Sequence, residues 1–128
     1  MGLIYRNVRF GSEDGATWEG YRTLVDTGAT HCLVPVSVVA RLQGRLFQRA
    51  PGLLADGSVQ ERDIVYLQVQ VDASLPPVLT TVMVGDESAP FLIGAVALEQ
   101  LGLGLDPLSQ KLIPELSVLL STFNWRTI

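Results

Sequence analysis

The sequence has 128 residues, a net charge of −4 and a charged fraction of only 17%, whereas typical soluble domains contain roughly 25% charged residues. Its nine Lys and Arg residues are scattered, so no basic stripe is available to bind a phosphate backbone, and we expect no nucleic-acid partner. The longest apolar stretch, Ala89–Leu98, is too short for a membrane-spanning helix of about 20 residues, so we expect no membrane association.

The cysteine count and the N-terminus bear on the compartment. A single cysteine excludes an internal disulfide, and Met1–Arg6 lacks the basic and apolar segments of a signal peptide. We therefore expect a cytoplasmic protein. The low charge of so small a chain also suggests that a partner covers part of its surface.

Most of the chain is predicted to form β-strands. The first two are expected over Leu3–Phe10 and Trp18–Val25, separated by a turn-rich segment at residues 11–15. The clearest pattern lies in Ile64–Val71, where apolar and polar residues alternate as in a strand with one face on the core. A further strand is predicted over the apolar, β-branched stretch Leu79–Val84.

A hairpin tip and short helices complete the predicted elements. Ala55-Asp56-Gly57-Ser58 contains the Asp-Gly pair that favours a tight hairpin turn. Helices are predicted over about Val36–Leu42 and Ala95–Leu101. We expect one domain over residues 1–114, followed by a C-terminal extension over residues 115–128 whose apolar residues have helical spacing.

Candidate chemistry lies in Leu24–Thr30, where two apolar residues deliver Asp26 from a predicted strand. Gly28 would let the backbone turn close beside the carboxylate, where a side chain would collide, and Thr27 is small enough to brace that turn by a local hydrogen bond. The tripeptide Asp26-Thr27-Gly28 taken alone fits an ordinary turn closed by the Asp side chain equally well. Its surroundings decide between the two interpretations.

Leu24–Thr30 resembles the active-site strand and loop of the retropepsin-like aspartic proteases. Downstream, Phe91–Gly94 followed by Ala97–Gly102 resembles the apolar-apolar-Gly signature and the short helix of that family. Retroviral members usually carry Arg directly after this signature, whereas Ala95 stands here. The similarity is therefore greater to the small bacterial and archaeal members.

Two further segments carry the resemblance. Leu54–Ser58, with the alternating strand after it, resembles the flap hairpin, and Leu103–Pro107 with Lys111–Pro114 is similar to the final segment of the prokaryotic members. The resemblance covers about residues 3–114. It implies a mainly β fold, a retropepsin-like closed β-barrel with one or two short helices and one domain per chain.

The chemistry of this family requires two carboxylates. Held about 3 Å apart they share one proton, so that one acts as acid and the other as base. Only Asp26 is followed by Thr-Gly or Ser-Gly in this chain, so the second carboxylate must be Asp26 of another copy, and twofold dimers are the commonest oligomers. We therefore expect a homodimeric aspartic endopeptidase that acts on peptides or proteins and needs no metal or cofactor. The resemblance implies a dimer sheet, here from Leu3–Arg6 and Gln110–Ile113.

The resemblance assigns roles to individual residues. Asp26 would activate the water and protonate the leaving group, Thr27 would brace the two loops, and Gly28 would offer backbone contacts to substrate. Ile93 would pack behind the loop and border the bound peptide. The substrate-binding residues are expected to be Ala29, Ala55, Asp56, Gly57 and Ile93.

Other interpretations remain open at the sequence level. The chain could be a non-catalytic dimerisation or peptide-binding module that keeps the fold, because a motif does not prove an open cleft. It could also belong to a larger complex in which another chain supplies the second Asp. The neighbours His31 and Cys32 suggest a cysteine protease, but in an extended segment they point to opposite faces, so a structural role is predicted for the pair.

Overall fold

The structure is a computed structural model, and it describes residues 3–53, 56–106 and 108–114. These segments contain nine strands and two short helices. Their order is β1 (Tyr5–Gly11), β2 (Trp18–Val25), β3 (Cys32–Pro35), α1 (Val36–Arg41), β4 (Arg45–Leu53), β5 (Val59–Gln70), β6 (Val78–Gly85), β7 (Leu92–Ile93), α2 (Ala95–Gln100), β8 (Leu103–Asp106) and β9 (Lys111–Pro114).

Seven of the strands form one sheet in the order β1-β2-β7-β3-β6-β5-β4. β1 also pairs with β5, where Arg9, Phe10 and Gly11 lie opposite Gln70, Val69 and Gln68. This pairing closes six strands into a ring and leaves β4 as an edge strand outside it. The predicted fold class, a mainly β domain with two short helices and a sheet closed on itself, is confirmed.

The core fills the ring because alternate residues of each strand point inward. In β5, Val65, Leu67 and Val69 are buried, and the intervening Tyr66 and Gln68 are half-buried. The predicted alternation therefore identifies the face of β5 that packs on the core. The strand itself begins at Val59, well before the predicted start. β2 has the predicted bounds, and β1 lies within two residues of its predicted bounds.

Both predicted helices are present. α1 ends in a cap at Leu42, and α2 buries Ala97 and Leu98 against the barrel. Gly102 follows α2 with a φ of +71°, the left-handed conformation in which glycine commonly ends a helix. The predicted extension over residues 115–128 lies outside the described residues.

β4 and β5 form the long hairpin that the Asp-Gly pair predicts, with Leu53 opposite Val59. At its tip, the Asp56 carboxylate accepts hydrogen bonds from the backbone N–H of Ser58 (2.9 Å) and from its hydroxyl (2.6 Å), and Gly57 has a φ of +86°. Ala55 lies outside the described residues. We call β4 and β5 from Arg45 to Ile64 the flap.

β8 and β9 form a separate two-stranded sheet. β8 pairs with β9 in antiparallel register from Leu103↔Pro114 to Asp106↔Lys111. The residue before β9, Gln110, has a φ of +55°, and its N–H donates to the Asp106 carbonyl at 2.8 Å. Lys111–Pro114 is thus paired within its own chain along one edge.

Candidate active site

Asp26 emerges where β2 ends, and its backbone is bound to a strand distant in sequence. β2 runs parallel to β7, with Leu24 opposite Leu92 and Val25 opposite Ile93. The Asp26 N–H donates to the Ile93 carbonyl at 3.0 Å. The backbone that carries the carboxylate is therefore fixed by the sheet itself.

The loop after Asp26 closes on the carboxylate. The Gly28 N–H donates to Asp26 Oδ1 at 3.0 Å, and the Ala29 N–H donates to the Asp26 carbonyl at 3.2 Å. A Cβ on Gly28 would lie 3.3 Å from Oδ1, so glycine is what allows this close approach. Within the described part of the chain, Oδ2 of Asp26 accepts no hydrogen bond and is available for substrate chemistry.

Gly94 clamps the same loop from behind. The Ala95 N–H donates to the Ala29 carbonyl at 2.7 Å, and a Cβ on Gly94 would lie 2.7 Å from that oxygen and 2.5 Å from the His31 carbonyl oxygen. No side chain fits in this space. The glycine of the apolar-apolar-Gly signature is therefore required by contact with the candidate catalytic loop.

A groove of about 690 Å³ lies between this loop and the flap. One wall includes Asp26, Gly28 and Ala29. The opposite wall is strand β4, through Ala50, Pro51 and Gly52. The remaining lining residues are Thr30, His31, Cys32, Leu33, Met83 and Leu92.

Four of the expected site residues lie elsewhere. The Ile93 side chain is 0% exposed and packs in the core behind the loop, so its neighbour Leu92 lines the groove instead. Asp56 and Gly57 lie at the exposed hairpin tip, outside the lining of this groove. Thr27 is exposed and borders a different cavity of about 350 Å³, with α2 and β8 as its other walls.

The β4 residues that line the groove were not predicted from the sequence. Ala50, Pro51 and Gly52 carry no functional group, and the strand that presents them shows no alternation. The available signal was the Asp-Gly turn, because the strand that follows a hairpin turn pairs with a strand that precedes the turn. Extending the hairpin backward from Val59 would have placed residues 50–52 opposite residues 60–62.

The neighbours His31 and Cys32 differ in exposure, since His31 is half-buried and Cys32 is buried. Cys32 is 1% exposed, and burial raises the pKa of its thiol to about 11. The nucleophile of cysteine proteases is the thiolate, which this environment disfavours. His31 Nδ1 instead lies 2.8 Å from the hydroxyl of Thr81 in β6. These contacts support the structural interpretation of Cys32.

An ion pair ties the flap to the barrel. Arg62 in β5 donates from Nη1 and Nη2 to the two carboxylate oxygens of Asp86, which follows β6, at 2.8 and 3.0 Å. The Arg62 stem supports the groove wall, since a Cβ on Gly52 would lie 2.9 Å from Arg62 Cγ. Arg62 lowers the pKa of the Asp86 carboxyl. The charged pair is therefore fully present above the ordinary aspartate pKa of about 3.9 and is lost only as the pH falls through the lowered value.

Asp86→Asn should loosen the flap. At pH 6 we expect hydrogen exchange of the amides in residues 59–64 to become about two- to fivefold faster, the effect of losing one exposed ion pair. Asp63→Asn is the matched control, because Asp63 pairs with Arg49 inside the flap and does not reach the barrel. Equal exchange rates in the two variants would contradict an anchoring role for Asp86.

The comparisons with known proteins agree with this geometry at the level of the fold. No family model matches the sequence. A search of curated proteins also finds no match. Among solved structures, the chain is similar to the EIAV protease complexed with the inhibitor HBY-793, with a TM-score of 0.60 and 20% identity over 82% of this chain and 93% of that chain. The chain has a retropepsin-like fold.

The retropepsin-like fold predicted from the sequence is thus confirmed by similarity to a solved structure. The comparisons of sequence alone do not detect this similarity. In the segments that the structure covers, neither helix has the length and hydropathy needed to cross a bilayer. The candidate loop and the flap lie on opposite sides of one groove.

Proposed function

We propose that this chain is one half of a homodimeric aspartic endopeptidase, with one Asp26 from each subunit. The observation that carries the proposal is the position of Asp26. Its carboxylate is held by the Gly28 N–H at 3.0 Å and borders a groove whose opposite wall is a flap strand. A carboxylate braced by backbone and facing an open groove is suited to act on a bound peptide.

The groove of one chain is chemically incomplete. Among the residues that line it, Asp26 is the only carboxylic acid. Water activation by carboxylates requires a second one nearby to share the proton. A twofold axis beside the Asp26-Thr27-Gly28 loop would supply it, and Thr27 is exposed at that position.

Exposed apolar residues near both ends of the described chain support a second copy as partner. Leu3 is 71% exposed, and Ile113 in β9 is 40% exposed. These residues belong to the segments Leu3–Arg6 and Gln110–Ile113 that we propose for the dimer sheet. β9 pairs with β8 along one edge and has no other strand partner among residues 3–114 as described, so its second edge can accept another strand.

The proposed reaction uses both carboxylates. The ionised Asp26 removes a proton from a water molecule, which attacks the scissile carbonyl, while the protonated Asp26 donates a hydrogen bond to the carbonyl oxygen. The C–N bond then breaks, and the leaving nitrogen takes a proton from the dyad. Thr27 braces the paired loops, Gly28 and Ala29 contact the peptide backbone, and the flap excludes water from the groove.

Measurements of activity, of oligomeric state and of dimer structure test the proposal. Denatured casein should be cleaved between acidic and neutral pH, with inhibition by a pepstatin-type statine peptide, and sedimentation should give a dimer. A crystal structure of the dimer should place the two Asp26 carboxylates about 3 Å apart. A stable monomer at working concentration, or a separation above about 6 Å, would overturn the proposal. Peptide binding without cleavage would favour the non-catalytic module instead.

A further inference from the structure

We propose that His31 is a specificity-determining residue that selects peptides carrying a carboxylate side chain beside the scissile bond. The inference rests on the proposed function and gives it a substrate class. It depends on three features of the molecule. They are the place of His31 in the groove, the absence of a carboxylate partner among the residues that the structure describes, and the charge that a dimer would place at the centre of the groove.

His31 is fixed in the groove at both its ring and its backbone. It lines the same groove as Asp26 and is half-buried there. The ring is held by the 2.8 Å contact between Nδ1 and Thr81 Oγ1. The His31 carbonyl oxygen lies so close to Gly94 that a Cβ there would approach it to 2.5 Å. Nδ1 is engaged by Thr81, and Nε2 has no hydrogen-bond partner among the described residues, so Nε2 can bind a ligand.

The groove around His31 contains few charges. On its own segment the titratable neighbours are Asp26 and Cys32, and the Cys32 thiol is buried and neutral. The other lining residues, from β4, β6 and β7, are uncharged. Behind them, Tyr66 lies opposite Thr81, and Arg62 supports Gly52 but is bound to Asp86.

No carboxylate of residues 3–53, 56–106 or 108–114 forms an ion pair with His31. A protonated imidazole at this position therefore lacks a counter-ion of its own. A carboxylate on a bound peptide would supply one by a charge-assisted hydrogen bond, which is stronger than a bond between neutral groups.

The proposed dimer sharpens this selectivity. Its groove would hold two copies of His31, one on each side of an Asp26 pair that shares a proton and keeps one negative charge. That charge repels an acidic peptide unless His31 is protonated. Histidine is the side chain that ordinarily gains a proton between pH 5 and 8, so the preference for acidic peptides should weaken as the pH rises.

Matched substrates test the preference. A cleavage site is first identified in a digest of a denatured proteome, and two peptides are then made that differ only in Glu or Gln beside the scissile bond. At pH 5.5 the kcat/KM for the Glu peptide should exceed that for the Gln peptide about three- to tenfold. The ratio should fall to about one or below at pH 8. Taking the ratio cancels the pH dependence of the chemical step, which both peptides share.

Two variants separate charge recognition from a structural role. His31→Gln keeps a polar group beside Thr81 and should remove the preference at pH 5.5 without loss of the folded state. His31→Lys keeps the positive charge and should retain the preference at both pH values. A Glu/Gln ratio in His31→Gln equal to that of the unmodified protein overturns the inference and leaves the proposed function standing.

A binding measurement tests the inference even if no peptide is cleaved. The sequence has one histidine, so a single imidazole signal reports on His31 in NMR spectra. The probes are two acetylated pentapeptides with a central statine and with Glu or Gln beside it. The Glu probe should raise the midpoint of the His31 titration relative to the Gln probe, and equal midpoints, or no binding of either probe, would overturn the inference. Loss of casein cleavage with a shifted midpoint would overturn only the proposed function.

Discussion

Asp26→Asn should reduce kcat for peptide cleavage by at least about 10³-fold. A positioned acid or base contributes roughly 10²–10⁴-fold, and in a homodimer the substitution removes both members of the dyad. Asparagine keeps an acceptor oxygen in place of Oδ1, so the 3.0 Å bond from the Gly28 N–H can persist and the loop should keep its shape. We therefore expect the dimer to remain intact in sedimentation while casein cleavage is lost.

The matched control is Asp14→Asn. Asp14 lies in the turn between β1 and β2, where its Oδ1 accepts hydrogen bonds from the Ser12 hydroxyl and the Ala16 N–H. The change in charge and volume is the same as in Asp26→Asn, yet the site lies outside the groove. Cleavage that survives in Asp26→Asn at the level of this control would end the aspartic-protease proposal.

Gly94→Ala should produce the largest loss of stability among single-methyl substitutions in the site. The added Cβ would meet the backbone oxygens of His31 at 2.5 Å and Ala29 at 2.7 Å, and backbone atoms cannot rotate away as a side chain does. We expect the free energy of unfolding to fall by about 3 kcal/mol, the upper end of typical overpacking costs. In thermal denaturation this corresponds to a Tm lower by roughly 10 °C.

Gly20→Ala provides the comparison for that measurement. Gly20 lies in β2, and the nearest atom to its added Cβ would be Arg9 Cγ at 3.8 Å, an ordinary contact. Its unfolding free energy should change by about 0.5 kcal/mol or less. If both variants have the same Tm, an added methyl group at Gly94 is not destabilising, and the close contact with the candidate catalytic loop does not require glycine.

The parts of the fold that could be predicted are those whose signals are local. Both bounds of β2 could be predicted to the residue, because a turn precedes the strand and apolar residues followed by Asp26 mark its end. The strand within Ile64–Val71 was evident from its alternation, since one face meets the core. Gly102 marked the end of α2 through its backbone freedom.

The parts that could not be predicted depend on partners distant in sequence. β7 has two residues, and it is a strand because β2 and β3 lie on either side of it. β4 contains Pro51 and has no alternation, and it can be a strand because an edge position tolerates proline. The choice between Leu92 and Ile93 depends on distant partners in the same way: only the tertiary structure shows that Leu92 lines the groove and that Ile93 is buried in the core.

The candidate site was predictable in its centre and not at its margins. Asp26, Gly28 and Ala29 were found because a short motif concentrates them in one loop. The sequence indicates only a structural role for His31, because it does not reveal the contact of His31 with Thr81, fifty residues away. Its position in the groove follows from the pairing of β3 with β6.

The insertion of β7 between β2 and β3 also has a consequence for biosynthesis. The Asp26 N–H and the Ala29 carbonyl find their partners only at Ile93 and Ala95. During translation, the first half of the barrel therefore leaves the ribosome with its candidate catalytic loop unsupported, and the loop can take its final shape only after residue 95 has emerged. A nascent or prematurely terminated chain should therefore lack the backbone hydrogen bonds that hold the candidate catalytic loop in place.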